Sequence, residues 1–289
     1  GLQTQINNLA KVSKSLNLKV NLDKTKIMVF RKGGHLARSE RWFLDGLEID
    51  VVNQYRYFGF AFTIRLSIKS ALDEVSTRGK QKCVQLLKVL WRLRCNQSSV
   101  FTRLFDSQIQ SSLLYSSEIW GHENHSEIEK VHTFGMKRFL GLDLRTPNHF
   151  LYGDLGRFPL HINACVRTIK YWLKLSKMGV DKLPKQAYLM LTQSPVPQGR
   201  NWASAIRQCL FEFGFGFVWL SGGVGNDKTF LSVFKRRLKD CYLQVWNSDN
   251  KGKERFKWYS SFKVDMGIED YFTSIHIRKF RNALVQFRF

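Results

Sequence analysis

The spacing of apolar residues changes about a quarter of the way along the chain. The first stripe has helical spacing, over residues 2–16, and consists of Leu2, Ile6, Leu9 and Leu16. Asn17 ends it. Shorter apolar stretches then predict strands at 25–30, 42–44, 47–51 and 54–63, with turns at Gly33-Gly34 and Asp45-Gly46. Residues 1–66 are therefore predicted to form a small α+β region, a helix followed by short antiparallel strands.

From Ile68 onward, apolar residues recur mainly at helical spacing. Such stripes cover residues 68–90, 101–113, 128–140, 162–173, 202–213 and 231–245. The segment 193–199, which contains two prolines, is predicted to be a linker. The pattern predicts a mainly α chain in three parts: the α+β region 1–66, a helical region 67–192 and a basic helical C-terminal region 200–289.

Composition adds a strong charge imbalance to this picture. The 289 residues include 46 Lys and Arg against 23 Asp and Glu, a net charge of +23, and 44% of them are hydrophobic. Disorder requires low hydrophobicity together with high charge, so this chain is predicted to fold. Its apolar runs are too short to span a bilayer, and its five scattered cysteines favour a reducing compartment over a disulfide framework or a zinc ribbon. The cations favour nucleic acid as the partner, ahead of a membrane surface.

More than half of the surplus charge lies in residues 151–289, which hold 23 basic and 10 acidic side chains. Three runs carry most of the candidate phosphate contacts: Lys235, Arg236, Arg237 and Lys239; Lys251, Lys253, Arg255 and Lys257; and Arg278, Lys279 and Arg281. A single run of this kind is as typical of a solvated helix face as of a surface that binds phosphate. Three runs interleaved with aromatic residues, however, indicate a surface that combines phosphate contacts with base stacking.

Two segments imitate other kinds of site. Gly222–Thr229 follows an apolar, strand-like run at Phe215–Leu220 and resembles a phosphate-binding loop. Asp227 replaces the second glycine of that motif, however, so a turn leading into a helix is the better interpretation. His122, His125 and His132 lie near several glutamates at a spacing that fits no metal-ligand pattern. No metal site and no bound small molecule are predicted from these residues.

Several motifs give a more specific indication. N-x-x-K-T-K at Asn21–Lys26 is followed by Y-x-Y-F-G-F at Tyr55–Phe60 and by L-L-Y-S-S-E-I-W-G at Leu113–Gly121; further matches are Leu140-Gly141, Thr146–Asn148, Tyr152–Leu160, Asn201–Ser204 and Gly214–Trp219. In this order the motifs resemble the end of the palm, the thumb and the following region of reverse transcriptases from non-LTR (long interspersed) retrotransposons. The resemblance covers nearly the whole chain.

The resemblance implies roles for individual residues. Lys24 matches the lysine expected to protonate the leaving pyrophosphate, a general acid only in an intact polymerase. Tyr55, Tyr57, Phe58 and Gly59 match the hairpin that grips the primer end, although the family usually has leucine where Phe58 stands. The helices from Ile68 onward would form a thumb over a template–primer hybrid, and the basic C-terminal part would hold RNA or DNA.

The sequence departs from the family in one respect that concerns catalysis. It has no F-A-D-D or Y-x-D-D motif, so the aspartates that would bind Mg²⁺ are missing and no cofactor is expected in this chain. The expectation is an internal fragment of an RNA-directed DNA polymerase, inactive alone, which binds RNA–DNA hybrids and single strands in the nucleus and in cytoplasmic ribonucleoprotein. The alternatives are a stand-alone, non-catalytic architectural module that binds RNA or DNA, and a decayed relic without function.

Overall fold

A computed structural model describes residues 1–31, 34, 37, 40–193, 201–275 and 277–288. The chain divides into two compact units, Gly1–Glu74 and Val75–Phe289. The second unit includes the predicted C-terminal region and the predicted thumb-like region from Val75 onward, while residues 67–74 belong to the first unit. The predicted linker at 193–199 lies, apart from Gln193, outside the described residues, as does Gly33 of the first predicted turn.

The first unit is built from one helix and two short hairpins. Helix α1 (Leu2–Ser15) buries Ile6 and Ala10 against Leu44 and Ile49. Strands β1 (Phe43–Leu44) and β2 (Leu47–Glu48) pair antiparallel, as do β3 (Gln54–Tyr57) and β4 (Phe60–Thr63). The predicted turn at Asp45-Gly46 is confirmed: both residues have positive φ, 50° and 81°, as a tight two-residue hairpin turn requires.

The second unit is helical among its described residues, and helix α2 (Ile68–Arg92) leads into it from the first unit. The helices that follow are α3 (Ser98–Leu104), a π-helical segment (Phe105–Gln110), α4 (Ser111–Leu113), α5 (Ser117–Trp120), α6 (Ser126–Leu140), α7 (Asn148–Leu155), α8 (Leu160–Ser176), α9 (Leu183–Gln193), α10 (Trp202–Glu212), α11 (Gly216–Leu220), α12 (Asp227–Gly252), a 3₁₀ turn (Glu254–Phe256), α13 (Lys257–Ser260), α14 (Tyr271–Ser274) and α15 (Arg278–Arg288). The prediction of a mainly α chain with a small N-terminal α+β part is thus confirmed. In the part of the chain that the structure describes, no helix has the length and apolar content needed to cross a bilayer.

Two apolar clusters position the basic helices of this unit. One packs α8, α10, α11 and α12 together and includes Ile169, Trp172, Ile206 and Phe234. The other joins α7 to the end of α12 and to α13 through Phe150, Trp246, Phe256 and Tyr259. Because α12 contributes to both clusters, its orientation within the unit is fixed along most of its length.

Three local predictions were wrong. Residues 25–30 do not form a strand; Ile27 makes a single parallel bridge to Val51. Residues 54–63 form a hairpin instead of one strand, because Phe58 and Gly59 turn the chain in the middle. The strand-like run Phe215–Leu220 is largely helix α11, and it packs Val218 into the core.

Candidate nucleic-acid interface

The hairpin β3–β4 exposes two aromatic rings at its tip. Phe58 and Gly59 have φ of 47° and 82° and form its two-residue turn, where glycine meets the positive φ at little cost. The exposed fractions of Tyr57 and Phe58 are 57% and 76%, and their rings meet edge to face at 4.4 Å between centroids. The hairpin therefore offers rings to a ligand, while Phe60 and Phe62 pack on each other within the hairpin at 5.3 Å.

The other residues predicted from the resemblance lie at the base of the same hairpin. The Tyr55 hydroxyl donates a hydrogen bond to the backbone oxygen of Lys24, with 2.7 Å between the two oxygens. The Lys24 side chain is exposed, and its backbone nitrogen donates to Asn21 Oδ1 at 3.1 Å. The first and fourth positions of the N-x-x-K-T-K motif thus form one turn that rests against Tyr55. Residues 31 positions apart in sequence meet at this point.

The first basic run lies on the central part of α12. Lys235 and Lys239, four residues apart, share one face of the helix, and the Lys239 ammonium lies 4.6 Å from the centre of the Phe158 ring. Arg236 and Arg237 are exposed. Burial, reinforced by the positive charge of Lys239, lowers the pKa of Lys235.

The second basic run covers the end of α12 and the start of α13. Lys253 pairs with Asp249 at 2.5 Å and Lys257 with Glu254 at 3.4 Å. The Arg255 guanidinium lies 4.7 Å from the centre of the Phe256 ring. These ion pairs are on the surface, where such pairs contribute little, so the run remains available to phosphate. Lys251 is exposed as well.

The third run is divided between surface and interior. Lys279 is exposed, and the Arg278 guanidinium lies 5.2 Å from the centre of the Trp91 ring, near the end of α2. Arg281, in contrast, is fully buried: it donates to the backbone oxygen of Asn96 and lies 4.6 Å from the centre of the Phe139 ring. Its Nε and Nη2 have no hydrogen-bond partner among the described residues. Arg281 is thus an interior residue and not part of a phosphate-binding surface.

Sequence reasoning missed the aromatic partners of these cations. Phe158 and Trp91 come from elements far from α12 and α15 in sequence, and only the fold brings them beside Lys239 and Arg278. Trp91 also belongs to the exposed segment Trp91–Arg94, which carries Arg92 and Arg94. The sequence W-R-L-R at 91–94 was the available signal, and it stands in a stretch, 75–105, that has no acidic residue.

A buried carboxylate anchors the segments that carry the second and third runs. Asp154 on α7 accepts hydrogen bonds from the hydroxyls of Tyr259 and Tyr271, at 2.6 and 2.7 Å, and from Arg288 Nε at 3.0 Å. Arg288 also pairs with Glu269 at 2.9 Å. Burial, together with the Asp154 charge, raises the pKa of both tyrosines well above the usual value, so they remain protonated donors. Asp154 therefore ties α13, α14 and α15 to α7.

The two segments that resemble sites of other kinds have structural roles among the described residues. Asn226 caps α12 by accepting from the Thr229 amide at 3.1 Å, and Asp227 pairs with Lys177 at 2.7 Å, as a turn into a helix start predicts. His132 is buried and bonded to Glu129 at 2.6 Å. Among the described residues, no group of three or more His, Cys, Asp or Glu side chains is arranged to hold a metal ion.

The first unit thus has an exposed aromatic hairpin beside the Lys24 segment. The second unit, by itself, has cations beside aromatic rings, Lys239 at Phe158 and Arg278 at Trp91. No protein-family model, curated protein or solved structure matches the chain.

Proposed function

We propose that this chain is a nucleic-acid-binding part of a retrotransposon RNA-directed DNA polymerase, and that it holds template–primer or target nucleic acid. The observation that carries the proposal is the hydrogen bond from the Tyr55 hydroxyl to the Lys24 backbone oxygen, 2.7 Å long. It joins the two motifs that resemble the proton-donating and primer-gripping segments of such an enzyme.

The position of the hairpin side chains supports this proposal. Residues two apart on a strand face the same side, so Tyr57 lies on the face of β3 where Tyr55 contacts the Lys24 segment. A primer end resting on the exposed rings of Tyr57 and Phe58 would have the Lys24 ammonium nearby. Lysine suits that place because an ammonium can offset negative charge on a leaving pyrophosphate and supply its proton.

The second unit supports the proposal through its charge. Its exposed cations lie on α12, on α13 and at the start of α15, and they provide contacts that depend on phosphate and not on base sequence. A hybrid of RNA and DNA is read in this manner, by shape and backbone. Polymerisation needs two metal ions held by carboxylates, and the sequence lacks the Asp-Asp motif. The chain alone is therefore expected to bind without polymerising, and an element of this kind would act in the nucleus and in ribonucleoprotein.

The test is binding to an RNA template annealed to a shorter DNA primer, compared with a blunt hybrid of the same length. We expect Tyr57→Ala and Phe58→Ala to lower the preference for the recessed primer end by roughly tenfold, since one ring–base contact is worth about 1–3 kcal/mol. Phe43→Ala removes another exposed ring of the first unit and is the matched control, with no expected change.

Each other outcome has a definite meaning. Equal affinity of the unmodified chain for recessed and blunt hybrids would favour the stand-alone architectural module. Failure to bind any nucleic acid at low salt would contradict the proposal altogether and would favour the decayed relic.

A further inference from the structure

Three exposed aromatic rings meet on the surface of the second unit. Trp258 on α13 lies 5.8 Å from Phe262 and 6.5 Å from Phe287 on α15, between ring centroids, and both contacts are edge to face. The exposed fractions of Trp258 and Phe287 are 62% and 75%. These three rings, here called the aromatic platform, come from segments about 30 residues apart in sequence.

The platform is held in place from below. The Arg288 guanidinium lies 4.5 Å from the centre of the Phe262 ring and is itself bonded to Asp154 and Glu269. Tyr259, which follows Trp258, is buried and donates to the same Asp154 at 2.6 Å. Both segments that supply the platform are therefore anchored to one carboxylate. Rings fixed in advance lose little conformational entropy when a ligand stacks on them.

The surroundings of the platform favour a polyanion with flat, aromatic groups. Lys257 precedes Trp258, and Arg255 and Lys253 lie just before it, all exposed. The outward residues of α15 are Arg278, Lys279, Phe280, Ala283, Gln286 and Phe287. Only two of these six are large apolar residues, so this face lacks the broad apolar surface of a helix that inserts into lipid.

We propose that the aromatic platform stacks on unpaired bases of a single-stranded RNA or DNA, while the cations of the 251–257 run contact the phosphates of that strand. This inference rests on the proposed function and makes it more specific, because it assigns single strands to this part of the second unit. It predicts that bases contribute to affinity here in addition to phosphates.

The experiment compares two labelled strands of roughly 12 nucleotides, within the range of single-strand site sizes: one with bases and one abasic, with the same number of phosphates. Fluorescence anisotropy measures the affinity of the full chain for both. We expect the unmodified chain to prefer the strand with bases. Trp258→Ala combined with Phe287→Ala should weaken that binding roughly 5- to 100-fold and leave abasic binding and the salt dependence unchanged.

Two further variants make the test specific. Phe217→Ala removes a ring with an exposed fraction of 63% on α11 and should change nothing. Trp258→Phe keeps a ring in the platform and should retain most of the preference for the strand with bases. If the double variant unfolds, Trp258→Phe is compared with Phe287→Ala alone.

The outcomes separate this inference from the proposed function. The proposed stacking role of the platform would be refuted if the chain bound both strands equally, or if the double variant kept the full preference for bases. Either result would leave the proposal of nucleic-acid binding in place. No binding of either strand would defeat both proposals. Another outcome would be that the chain binds vesicles of phosphatidylserine and phosphatidylcholine more tightly than the strand with bases, in a way that depends on the platform. That result would identify a lipid surface as the ligand and overturn the inference.

Discussion

The geometry of α12 makes a quantitative prediction about how the first basic run binds phosphate. An α-helix turns by about 100° per residue, so Lys235 and Lys239 point within about 40° of each other and Arg236 lies about 60° from Lys239. Arg237 points about 160° away from Lys239. One nucleic-acid backbone lying along α12 can therefore contact Lys235, Arg236 and Lys239, and it cannot contact Arg237 at the same time.

The size of the effect follows from counterion release. Each phosphate contact contributes about 0.9 to the slope of log affinity against log salt concentration on a duplex. Replacing Lys235, Arg236 and Lys239 by glutamine should reduce the slope by about 2.7. Between about 50 and 200 mM salt, the unmodified chain should therefore lose about 40-fold more affinity than this triple variant. Arg237→Gln alone should leave the slope unchanged.

The assay is fluorescence anisotropy with a labelled RNA–DNA hybrid, repeated at five or so salt concentrations. A control variant with Lys88, Lys170 and Lys174 replaced by glutamine removes the same charge from exposed positions on α2 and α8. If the control lowers the slope as much as the α12 variant does, net charge and not position determines binding. If Arg237→Gln lowers it as much as Lys239→Gln does, the helical geometry given above is refuted.

Three further outcomes concern the folded second unit. Asp154→Asn should lower the free energy of unfolding by about 3–5 kcal/mol, because it breaks the ion pair between this buried carboxylate and the partly buried Arg288. Urea denaturation measures this, and exposed Asp240→Asn should cost less than about 0.5 kcal/mol. Burial lowers the pKa of His149, so the unfolded chain takes up the proton first; stability is complete above a pH of about 6.5 and falls below it. His149→Gln should reduce that fall when thermal unfolding is followed from about pH 7.5 to 5.5, and an unchanged pH dependence would contradict the assignment. Arg281→Met should leave the free energy of unfolding within about 1 kcal/mol of the original and should leave the affinity for nucleic acid unchanged. A strong loss of affinity in a folded Arg281→Met protein would show that Arg281 contacts the nucleic acid.

The sequence predicted the helical elements well because their signal is local. A stripe such as 68–90 needs only its own residues to show which face will be buried, and α2 (Ile68–Arg92) follows it closely. The short strands were harder to predict. Residues 25–30 have strand composition, yet a strand also needs a partner along its length, and Ile27 finds only a single bridge to Val51. Partner strands are set by the fold and are not visible in a six-residue window.

The candidate site shows the same contrast between features visible in local sequence and features set by the fold. The two motifs could be identified from sequence, but the hydrogen bond from the Tyr55 hydroxyl to the Lys24 backbone oxygen is visible only in the fold. The exposure of individual cations could not be predicted. Arg281 and Lys279 lie two positions apart in one basic run, but a helix turns by about 200° over that distance. Arg281 consequently faces Phe139 in the interior, while Lys279 faces solvent.

The distribution of acidic residues explains why the surface of the second unit keeps its positive charge. Several of its ion pairs join separate elements of the fold: Asp106 with Arg157, Asp154 and Glu269 with Arg288, and Asp227 with Lys177. Within the described residues, no salt bridge compensates Lys235, Arg236, Arg237, Lys239, Arg278 or Lys279. The acids thus stabilise the fold and leave these six cations unpaired. Replacing these cations should therefore change binding far more than stability, because no salt bridge within the described part of the chain is lost. Lys239 and Arg278 each give up one ring contact.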